Sequence, residues 1–277
     1  YRLDRNHLTD SSCLHLASGI RNNQTLRTLD LSGNNLEGPH FSDLMAALTT
    51  SRIEELILDR NHLRDSSCLH LASGIRNNQT LKTLSLSENN LEGPHFRDLM
   101  AALTTSRIEE LQLESNRLTA SSCPHLAFGI RNNQTLRTLD LSGNNLEGSH
   151  FSDLMVALTT SQIKELHLSF IQLKDRSCPH LTSVIRNNQT LRTLNLSINN
   201  LEGPHFSDLM ASLRRSRIEK LDLMYNHLTD SSCPHLASGI RNNQTLRTLN
   251  LSENNLEGPH FSDLMAALTT SRIEELQ

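Results

Sequence analysis

The sequence is poor in aromatic residues, since it contains no Trp, 2 Tyr and 7 Phe among 277 residues. Any hydrophobic core must therefore be built mainly from aliphatic side chains. No apolar run reaches the length of about 18 residues that a membrane-spanning helix needs. The chain also lacks a phosphate-binding glycine loop, a dinucleotide-binding glycine motif and a nucleophile-elbow serine motif. These absences argue against a membrane protein and against the enzyme classes that carry those motifs.

The sequence also has little excess charge, with 26 basic and 30 acidic residues and a net charge of −4. Proteins that bind nucleic acids normally present a strongly basic face, so this balance argues against a nucleic-acid partner. The hydrophobic content of 36% is ordinary for a soluble protein and is sufficient for a large core at this length.

What the sequence does contain is a repeat of 55 residues. The pentapeptide Asn-Asn-Leu-Glu-Gly begins at positions 34, 89, 144, 199 and 254, and the five cysteines follow the same period. A fixed period of this kind marks a repeat protein. Each period divides into a B repeat of 27 residues, such as 26–52, and an A repeat of 28 residues, such as 53–80.

The start of each repeat fits the pattern L-x-x-L-x-L-x-x-N-x-L, which is typical of leucine-rich repeats. Leu29 and Leu31 alternate with polar residues, as in a strand that buries one face. Phe41, Leu44 and Leu48 then share one face of a helix. Identical connections make the strands parallel, and strands stack more closely, at about 4.8 Å, than helices, at about 8–10 Å. We therefore predict a curved α/β solenoid, or horseshoe, with a parallel sheet on its concave face and helices on its convex face.

Residues 1–277 are predicted to form a single solenoid of this kind. Gly38-Pro39 is expected to begin the helix of the B repeat, and Asp10 and Ser11 are expected to cap the helix of the A repeat. The chain begins and stops within the repeated motif, so we expect a fragment with no capping repeats at either end. Uncapped ends would expose core residues and favour self-association.

The alternating 27- and 28-residue repeats resemble the ribonuclease-inhibitor type of leucine-rich repeat protein. The segment LTDSSCPHLASGIRNNQTLRTLNLSENNL at 228–256 resembles the C-terminal repeats of NOD-like receptors. The resemblance implies a non-enzymatic, cytoplasmic module that senses a ligand or inhibits its own receptor in innate immunity. Ribonuclease inhibitors as a family are strongly acidic and rich in Cys and Trp, so composition favours the receptors.

The cysteines are predicted to be buried thiols in a reducing compartment. Consecutive cysteines lie two repeats apart, which places them roughly 16–20 Å from each other, and a disulfide needs Cα atoms within about 7 Å. Each cysteine is followed two positions later by His, as in Cys13 and His15, but such a pair points in different directions on a helix. We therefore predict no metal site, no cofactor and no Cys–His nucleophile.

The glycosylation sequon Asn23-Gln24-Thr25 recurs in every period, at Asn78, Asn133, Asn188 and Asn243. Five sequons leave open an extracellular leucine-rich-repeat receptor ectodomain. The same Asn and Thr also suit the turn that leads into each strand, so the repeat itself would copy the sequon. A third alternative is a consensus-like or engineered repeat scaffold with no natural ligand, because the repeats are nearly identical.

The residues that open the strands alternate in sign. Basic residues open the B strands and acidic residues open most of the A strands, as in Arg27, Glu54 and Lys82. Cross-strand pairs of this kind contribute about 0.2–1 kcal/mol each. We predict a ladder that mostly neutralises itself and does not form a phosphate-binding stripe.

Variation between the repeats concentrates in three columns on and just after the strand. The first two columns lie opposite the buried leucines, on the concave face, and the third follows the strand. The A repeats vary in all three columns, whereas the helix faces stay uniform. Drift would scatter changes over every exposed surface, so the pattern favours a surface diversified for binding.

The strongest candidate site is an apolar group in the third column, formed by Phe170, Ile198 and Tyr225 of three consecutive repeats. Exposed apolar side chains beside a few polar groups are typical of a protein-binding hot spot. The neighbouring candidates for ligand binding are His167, Ser169, Asn195, Asp222 and Met224. We predict a protein or peptide partner here, with no nucleic acid and no membrane.

The N-terminal part of the same face is charged, with Asp4, Arg5 and Asp30 contributing, and is better suited to steering or to a second contact. The candidate ligand-binding residues there are Ile57, Asp59, Arg60, Gln112 and Glu114.

Ile171 breaks the pattern, because the other A repeats carry Asn at this position. The substitution removes one amide from a row of like residues. We expect a looser backbone or a hydrated gap there, and we interpret Ile171 as a tolerated cost beside a functional Phe170.

Overall fold

The computed structural model describes residues 1–277, which fall into two compact units, Tyr1–Leu146 and Glu147–Gln277. Both units repeat one element order, a short strand followed by a helix, as the repeats predict. The prediction of a single solenoid over the whole chain stays a prediction.

Each unit contains a sheet of short parallel strands. The leucines of successive strands lie side by side, as in the register of Leu29 with Leu56 and of Leu56 with Leu84. The first unit contains β1 (Thr28–Asp30), β2 (Glu55–Ile57), β3 (Thr83–Ser85), β4 (Glu110–Gln112) and β5 (Thr138–Asp140). The second unit contains β6 (Glu165–His167), β7 (Thr193–Asn195), β8 (Lys220–Asp222), β9 (Thr248–Asn250) and β10 (Glu275–Leu276).

A helix accompanies the strand of each repeat. The first unit contains α1 (Ser12–Arg21), α2 (Phe41–Leu48), α3 (Ser67–Arg76), α4 (Phe96–Leu103), the 3₁₀ helix Ala120–Ser122 and α5 (Cys123–Asn132). The second contains α6 (Phe151–Thr159), the 3₁₀ helix Asp175–Ser177, α7 (Cys178–Asn187), α8 (Phe206–Ser212), the 3₁₀ helices Leu213–Arg215 and Asp230–Ser232, α9 (Cys233–Ile240) and α10 (Phe261–Leu268). None of these helices combines the length and the apolar character of a membrane span.

The core lies between the strands and the helices and is almost entirely aliphatic. Leu29, Leu31 and Leu36 of one B repeat are buried, and Phe41 and Met45 of its helix pack behind them. The first four B repeats bury equivalent residues, so burial of roughly 1.5–3 kcal/mol for each large side chain recurs along the chain.

The helix caps differ from the prediction for Asp10 and Ser11. The Oδ1 of Asp10 accepts hydrogen bonds from the backbone N–H groups of His40 (2.8 Å) and Phe41 (3.1 Å), so Asp10 caps the B helix of the following repeat. The side chain of Ser11 does not cap α1. Gly38 has φ +154°, and a Cβ at that position would lie 2.4 Å from the Asp10 carboxyl carbon, which explains the glycine.

The asparagine of each B repeat joins two successive turns of the chain. The Oδ1 of Asn89 accepts the backbone N–H groups of Asn61 and Leu63, both at 3.0 Å, and its Nδ2 donates to the carbonyls of Leu58 (3.0 Å) and Leu86 (2.9 Å). Asn34, Asn144, Asn199 and Asn254 repeat this arrangement. Both ends of the amide are satisfied while the side chain is largely buried, which is the condition under which a buried polar group is stabilising.

The asparagine of the A repeat is only half satisfied. The Nδ2 of Asn61 donates to the carbonyls of Leu31 (2.9 Å) and Asp59 (3.1 Å), but its Oδ1 is buried without a hydrogen-bond partner. Asn116 and Asn226 share this orphan oxygen. An unpaired buried acceptor costs about 1–3 kcal/mol, which offsets most of what the two donated bonds contribute.

This asymmetry explains why the broken pattern occurs at Ile171, in an A repeat. Its side chain is fully buried and fills the space, and its backbone N–H still donates to the Oδ1 of Asn199 at 3.3 Å. Phe170 and Gln172 keep φ angles of +51° and +66°, similar to those of the equivalent residues in other A repeats. The backbone conformation is therefore unchanged there, and the geometry does not support the expected loosening.

The asymmetry predicts different costs for one substitution at two neighbouring asparagines. Asn89→Ile should lower the free energy of unfolding by about 3 kcal/mol or more, because it leaves two buried N–H groups without acceptors. Asn61→Ile should change it by less than about 1 kcal/mol, because the orphan oxygen disappears with the donated bonds. Chemical denaturation of both variants measures the difference, and equal costs would contradict the distinction between the two asparagines.

Candidate functional site

The polar candidates of the second unit form a row across its sheet. His167, Asn195 and Asp222 lie opposite one another in the register of β6, β7 and β8, and Asn250 of β9 continues the row. Their side chains are half-buried and line a shallow depression of about 200 Å³, to which Lys220 also contributes. Asn250 and Lys220 were not among the residues predicted from the sequence, although Asn250 occupies the same column.

The second column includes small side chains, such as Ser169 and Ser197, and its backbone is hydrogen-bonded to side chains of the first column. The Oδ1 of Asn195 accepts the N–H of Ser197 at 2.9 Å, and the Oδ1 of Asp222 accepts the N–H of Met224 at 2.9 Å. The hydroxyl of Ser197 donates to that of Ser169 at 2.9 Å. Local bonds of this Asx type turn the backbone at the end of each strand and fix where the next residue emerges.

The third column presents the predicted apolar group. The exposed fractions are 59% for Phe170, 37% for Ile198 and 48% for Tyr225. The N–H of Phe170 donates to the carbonyl of Ser197 at 3.1 Å, and the N–H of Ile198 donates to that of Met224 at 2.8 Å. Each bond reaches the residue just before the next member of the column, so the three side chains stand on adjacent turns. We call Phe170, Ile198 and Tyr225 the apolar strip.

The apolar strip lies on backbone that disfavours such residues. Phe170, Ile198 and Tyr225 have φ angles of +51°, +53° and +53°, in the left-handed region. Gly33 and Gly143 occupy the same column with φ near +67°, where glycine is unstrained. An L residue costs roughly 1–2 kcal/mol in this conformation, and a β-branched one such as Ile198 is a genuine outlier.

The sequence contained one signal of this strain that the prediction did not use, which is the glycine in two of the B repeats. A column that accepts glycine, charged residues and large apolar residues at a left-handed turn is not selected for local stability. Strain of this kind persists where the surrounding structure and function maintain it.

A histidine supports one end of the apolar strip. The ring of His227 contacts Tyr225 edge-on, with a centroid distance of 5.4 Å and an interplanar angle of 62°. His227 also has a left-handed φ of +59°. The contact restricts the orientation of the tyrosine ring.

The first unit presents charge at the equivalent positions. Arg60 and Glu88 form an ion pair in the third column, where the second unit has Phe170 and Ile198. The hydrogen bond from Arg60 lowers the pKa of Glu88. Because both side chains are exposed, the pair contributes little to stability and mainly sets the local field.

Asp59 lies beside this pair and is partly buried. Its Oδ1 accepts the hydroxyl of Ser85 at 2.5 Å and the N–H of Ser87 at 2.8 Å. Burial raises the pKa of Asp59, these two hydrogen bonds oppose the rise, and the charges of Asp30 and Glu88 add to it.

Burial likewise raises the pKa of Glu114, and the charges of Asp140, Glu88 and Asp59 add to the rise. The predicted residues Asp59, Arg60 and Glu114 are therefore electrostatically coupled, through Glu88, which the prediction omitted. Ile57 and Gln112 lie half-buried in the same row as Ser85, and the Nε2 of Gln112 donates to Glu110 at 2.7 Å.

The cysteines lie apart from both surfaces. All five are buried, and the thiol of Cys13 points to the carbonyl of Leu36 at 3.9 Å. Burial raises the pKa values of Cys13 and Cys178 to about 12, so these thiols stay protonated and unreactive at neutral pH.

The sequon asparagines form part of the fold. Asn78 and Asn133 are 2% and 4% exposed, and their Nδ2 atoms donate to the carbonyls of Leu48 (2.6 Å) and Leu103 (2.7 Å). Asn188 and Asn243 make the same bond. The nitrogen that would carry a glycan is therefore engaged inside the folded chain at four of the five sequons.

Comparison with known proteins agrees with this repeat geometry. A family described as Leucine Rich repeat matches residues 22–39, 77–94, 132–149, 187–204 and 242–259. Ribonuclease inhibitor of Mus musculus is 31% identical over 270 residues, which cover 95% of this chain and 59% of that protein. NACHT, LRR and PYD domains-containing protein 3 of Rattus norvegicus is 34% identical over 257 residues, which cover 90% of this chain and 25% of that protein.

The chain contains leucine-rich repeats that are similar to those of ribonuclease inhibitor and of a NACHT, LRR and PYD domains-containing protein. The leucine-rich repeat-containing protein LegL7 from Legionella pneumophila has the same fold, with a TM-score of 0.64 at 19% identity over 100% of this chain and 89% of that one. The chain thus spans 59% of the length of the ribonuclease inhibitor and 25% of the rat protein. Ribonuclease inhibitor and the receptor protein match at similar identity. These comparisons therefore do not decide between the two groups, although composition favours the receptors.

The strain in these leucine-rich repeats predicts the effect of removing one side chain of the apolar strip. Ile198→Gly and Ile198→Asn relieve the left-handed backbone, so neither should lower the free energy of unfolding by more than about 1 kcal/mol. Leu196→Ala, two residues earlier in the core, should cost about 2–5 kcal/mol. Thermal and chemical denaturation measure these costs, and a loss at Ile198 as large as that at Leu196 would assign Ile198 to the scaffold.

Proposed function

We propose that this chain is a non-enzymatic recognition module that binds a protein or peptide on the open face of its sheet. The anchor of the contact is the apolar strip, flanked by the polar row of His167, Asn195 and Asp222. The observation that carries the proposal is that large exposed apolar side chains occupy the left-handed third-column position in three consecutive repeats. Such residues lower stability and solubility at these positions, and a role in binding accounts for their presence.

The chemistry of the apolar strip suits a protein partner. Rigid aromatic and aliphatic side chains bury much area with little loss of conformational entropy, and the polar row beside them supplies direction through hydrogen bonds. The charged surface of Asp59, Arg60, Glu88 and Glu114, with Ile57 and Gln112 between them, serves as a second contact that steers the encounter. No nucleic acid and no membrane enters this proposal.

The biological setting we propose is the sensing region of a cytoplasmic NOD-like receptor in innate immunity. The rat relative carries NACHT and PYD domains besides its leucine-rich repeats, and this chain matches 25% of it. Buried, protonated thiols favour a reducing compartment. Self-association through the first and last repeats remains a prediction.

The two alternatives are an extracellular receptor ectodomain and a consensus-like scaffold with no natural ligand. The engagement of the sequon amides inside the fold weighs against a glycosylated ectodomain. The strained apolar strip weighs against a scaffold shaped for stability alone.

The recognition proposal is tested by affinity capture from cell extract with three immobilised chains. The first is the unmodified chain and the second carries Phe170→Ser, Ile198→Ser and Tyr225→Asn. The matched control carries Leu69→Ser, Phe128→Ser and Val156→Asn, which removes the same number of exposed apolar side chains from the helices α3, α5 and α6. Quantitative mass spectrometry should find proteins that the unmodified chain and the control retain at similar levels and that the apolar-strip variant loses by about tenfold or more.

All three chains should unfold at similar temperatures, since none of the changed residues belongs to the core. Equal capture by all three chains would remove the apolar strip as the anchor, and no specific capture by the unmodified chain would favour the scaffold alternative.

The ectodomain alternative predicts N-glycans at the sequons, which expression through the secretory pathway can test. A glycan on Asn78 would break its bond to Leu48 and force a buried amide to the surface. We therefore expect the folded monomer to be unmodified at the four buried sequons, and Asn23, whose side chain is only half-buried, is the internal control. Site-by-site occupancy from mass spectrometry decides, and a folded monomer glycosylated at Asn78 or its buried equivalents would restore the ectodomain.

A further inference from the structure

A group of cations occupies the edge of the second unit where helices end and strands begin. Six of them are exposed and have no carboxylate partner within salt-bridge distance, and we call them the basic edge: Arg186, Arg214, Arg215, Arg217, Lys220 and Arg241. Guanidinium groups predominate, and they match carboxylate and phosphate oxygens with paired hydrogen bonds.

The fold brings these cations together. The 3₁₀ helix Leu213–Arg215 contacts both α7 and α9, which end at or beside Arg186 and Arg241. The Nε of Arg217 donates to the Oε1 of Gln189 at 3.1 Å, which ties this repeat to the turn before it. The basic edge therefore runs over three consecutive repeats.

Comparison with the other repeats identifies what is special here. The positions of Arg214 and Arg215 are both Thr in the other four B repeats, and the position of Lys220, in the A repeat that follows, is Glu in the other four periods. The threonines have a structural use, since the hydroxyl of Thr49 donates to the carbonyl of Ala46 at 2.7 Å at the helix end. All three changes fall within residues 214–220 of one 55-residue period and add positive charge, and two of them give up a helix-end hydrogen bond.

The scaffold does not account for the added charge. The Nε of Arg214 donates to the carbonyl of Ser238 at 2.9 Å, but the side chains of Arg215 and Lys220 make no hydrogen bond or ion pair. A helix C-terminus favours one nearby cation, which explains Arg186 and Arg241 and their equivalents in the other A repeats. It does not explain the added cations Arg214, Arg215 and Lys220, which lie between them in the sequence.

Elsewhere the predicted ladder of alternating charges neutralises itself. Glu54 pairs with Arg27 at 3.3 Å and lies 3.6 Å from Lys82. In the second unit Glu219 already pairs with Arg192 at 3.3 Å, and Lys220 forms no ion pair with Glu219 or with Asp222, which lines the same depression. The carboxylates of Glu165 and Glu275 lie two strands away from Lys220 on either side.

We infer that the basic edge is a further interaction surface, which meets the polar row at Lys220 and lies at the opposite ends of the strands from the apolar strip, and that it binds an acidic polypeptide segment rich in Asp and Glu. The basic edge contains no aromatic side chain on which nucleotide bases would stack. It contains no large apolar side chain to insert into a lipid surface. A row of forked cations spaced by the repeat suits a chain of carboxylates instead.

The test compares three chains by fluorescence anisotropy with a labelled oligoglutamate peptide at low salt. The edge variant carries Arg214→Thr, Arg215→Thr and Lys220→Glu, which restores the residues of the other 55-residue periods and should leave the fold intact. The control carries Arg64→Thr, Arg97→Glu and Lys174→Thr, which removes the same amount of charge from exposed positions elsewhere. A fourth chain with Thr269→Arg, Thr270→Arg and Glu275→Lys tests for a gain.

We expect the peptide to bind the unmodified chain and the control within about twofold of each other and the edge variant about tenfold more weakly, with the gain variant tighter than the unmodified chain. Binding should weaken as salt rises. Equal binding by the edge variant and the unmodified chain, or no binding by any chain, overturns the inference. A single-stranded oligonucleotide or phosphatidylserine vesicles that bind the unmodified chain more tightly than the peptide does, and lose that binding in the edge variant, also overturn it.

Discussion

The buried asparagine of each B repeat is the interaction on which the rest of the structure depends. Asn89 accepts two backbone N–H groups from one turn and donates to carbonyls of two successive strands, so it fixes both the end of its own strand and the position of its neighbour. Once the backbone groups beyond each strand are satisfied in this way, the leucines can be buried without orphaned amides. The backbone of the residues that follow the strand is then held in place independently of the identity of their side chains.

That independence separates scaffold from surface. Because the backbone of the third column is fixed by its neighbours, the same left-handed position carries Gly143, Glu88 and Ile198 with little change in φ. The protein can therefore place an ion pair on one unit and the apolar strip on the other without altering the fold. The strain at Ile198 is local, of roughly 1–2 kcal/mol, and is small beside the core burial that recurs in each repeat.

The fold was predictable because the same strand–helix pattern recurs in every 55-residue period. The alternation of leucines such as Leu29 and Leu31 indicates which face of the strand is buried. The apolar strip was predictable as a group because Phe170, Ile198 and Tyr225 depart from a nearly constant background. The caps were not, because the Asp10 carboxylate reaches a helix some 30 residues later, and sequence proximity favoured the wrong helix. The unpaired side-chain oxygen of Asn61 was not predictable either. The asparagines of the A and B repeats look alike in the sequence and differ only in whether the neighbouring turn donates a hydrogen bond to that oxygen.

The central claim is that recognition takes place at the strand ends of the second unit, on the apolar strip. Hydrogen exchange of the chain, free and bound to a protein that it captures, measures this most directly. We predict slower exchange in residues 167–171, 195–199 and 222–226, with the equivalent segments of the first unit less affected. Protection confined to the helices, with exchange at these strand ends unchanged, would contradict the account.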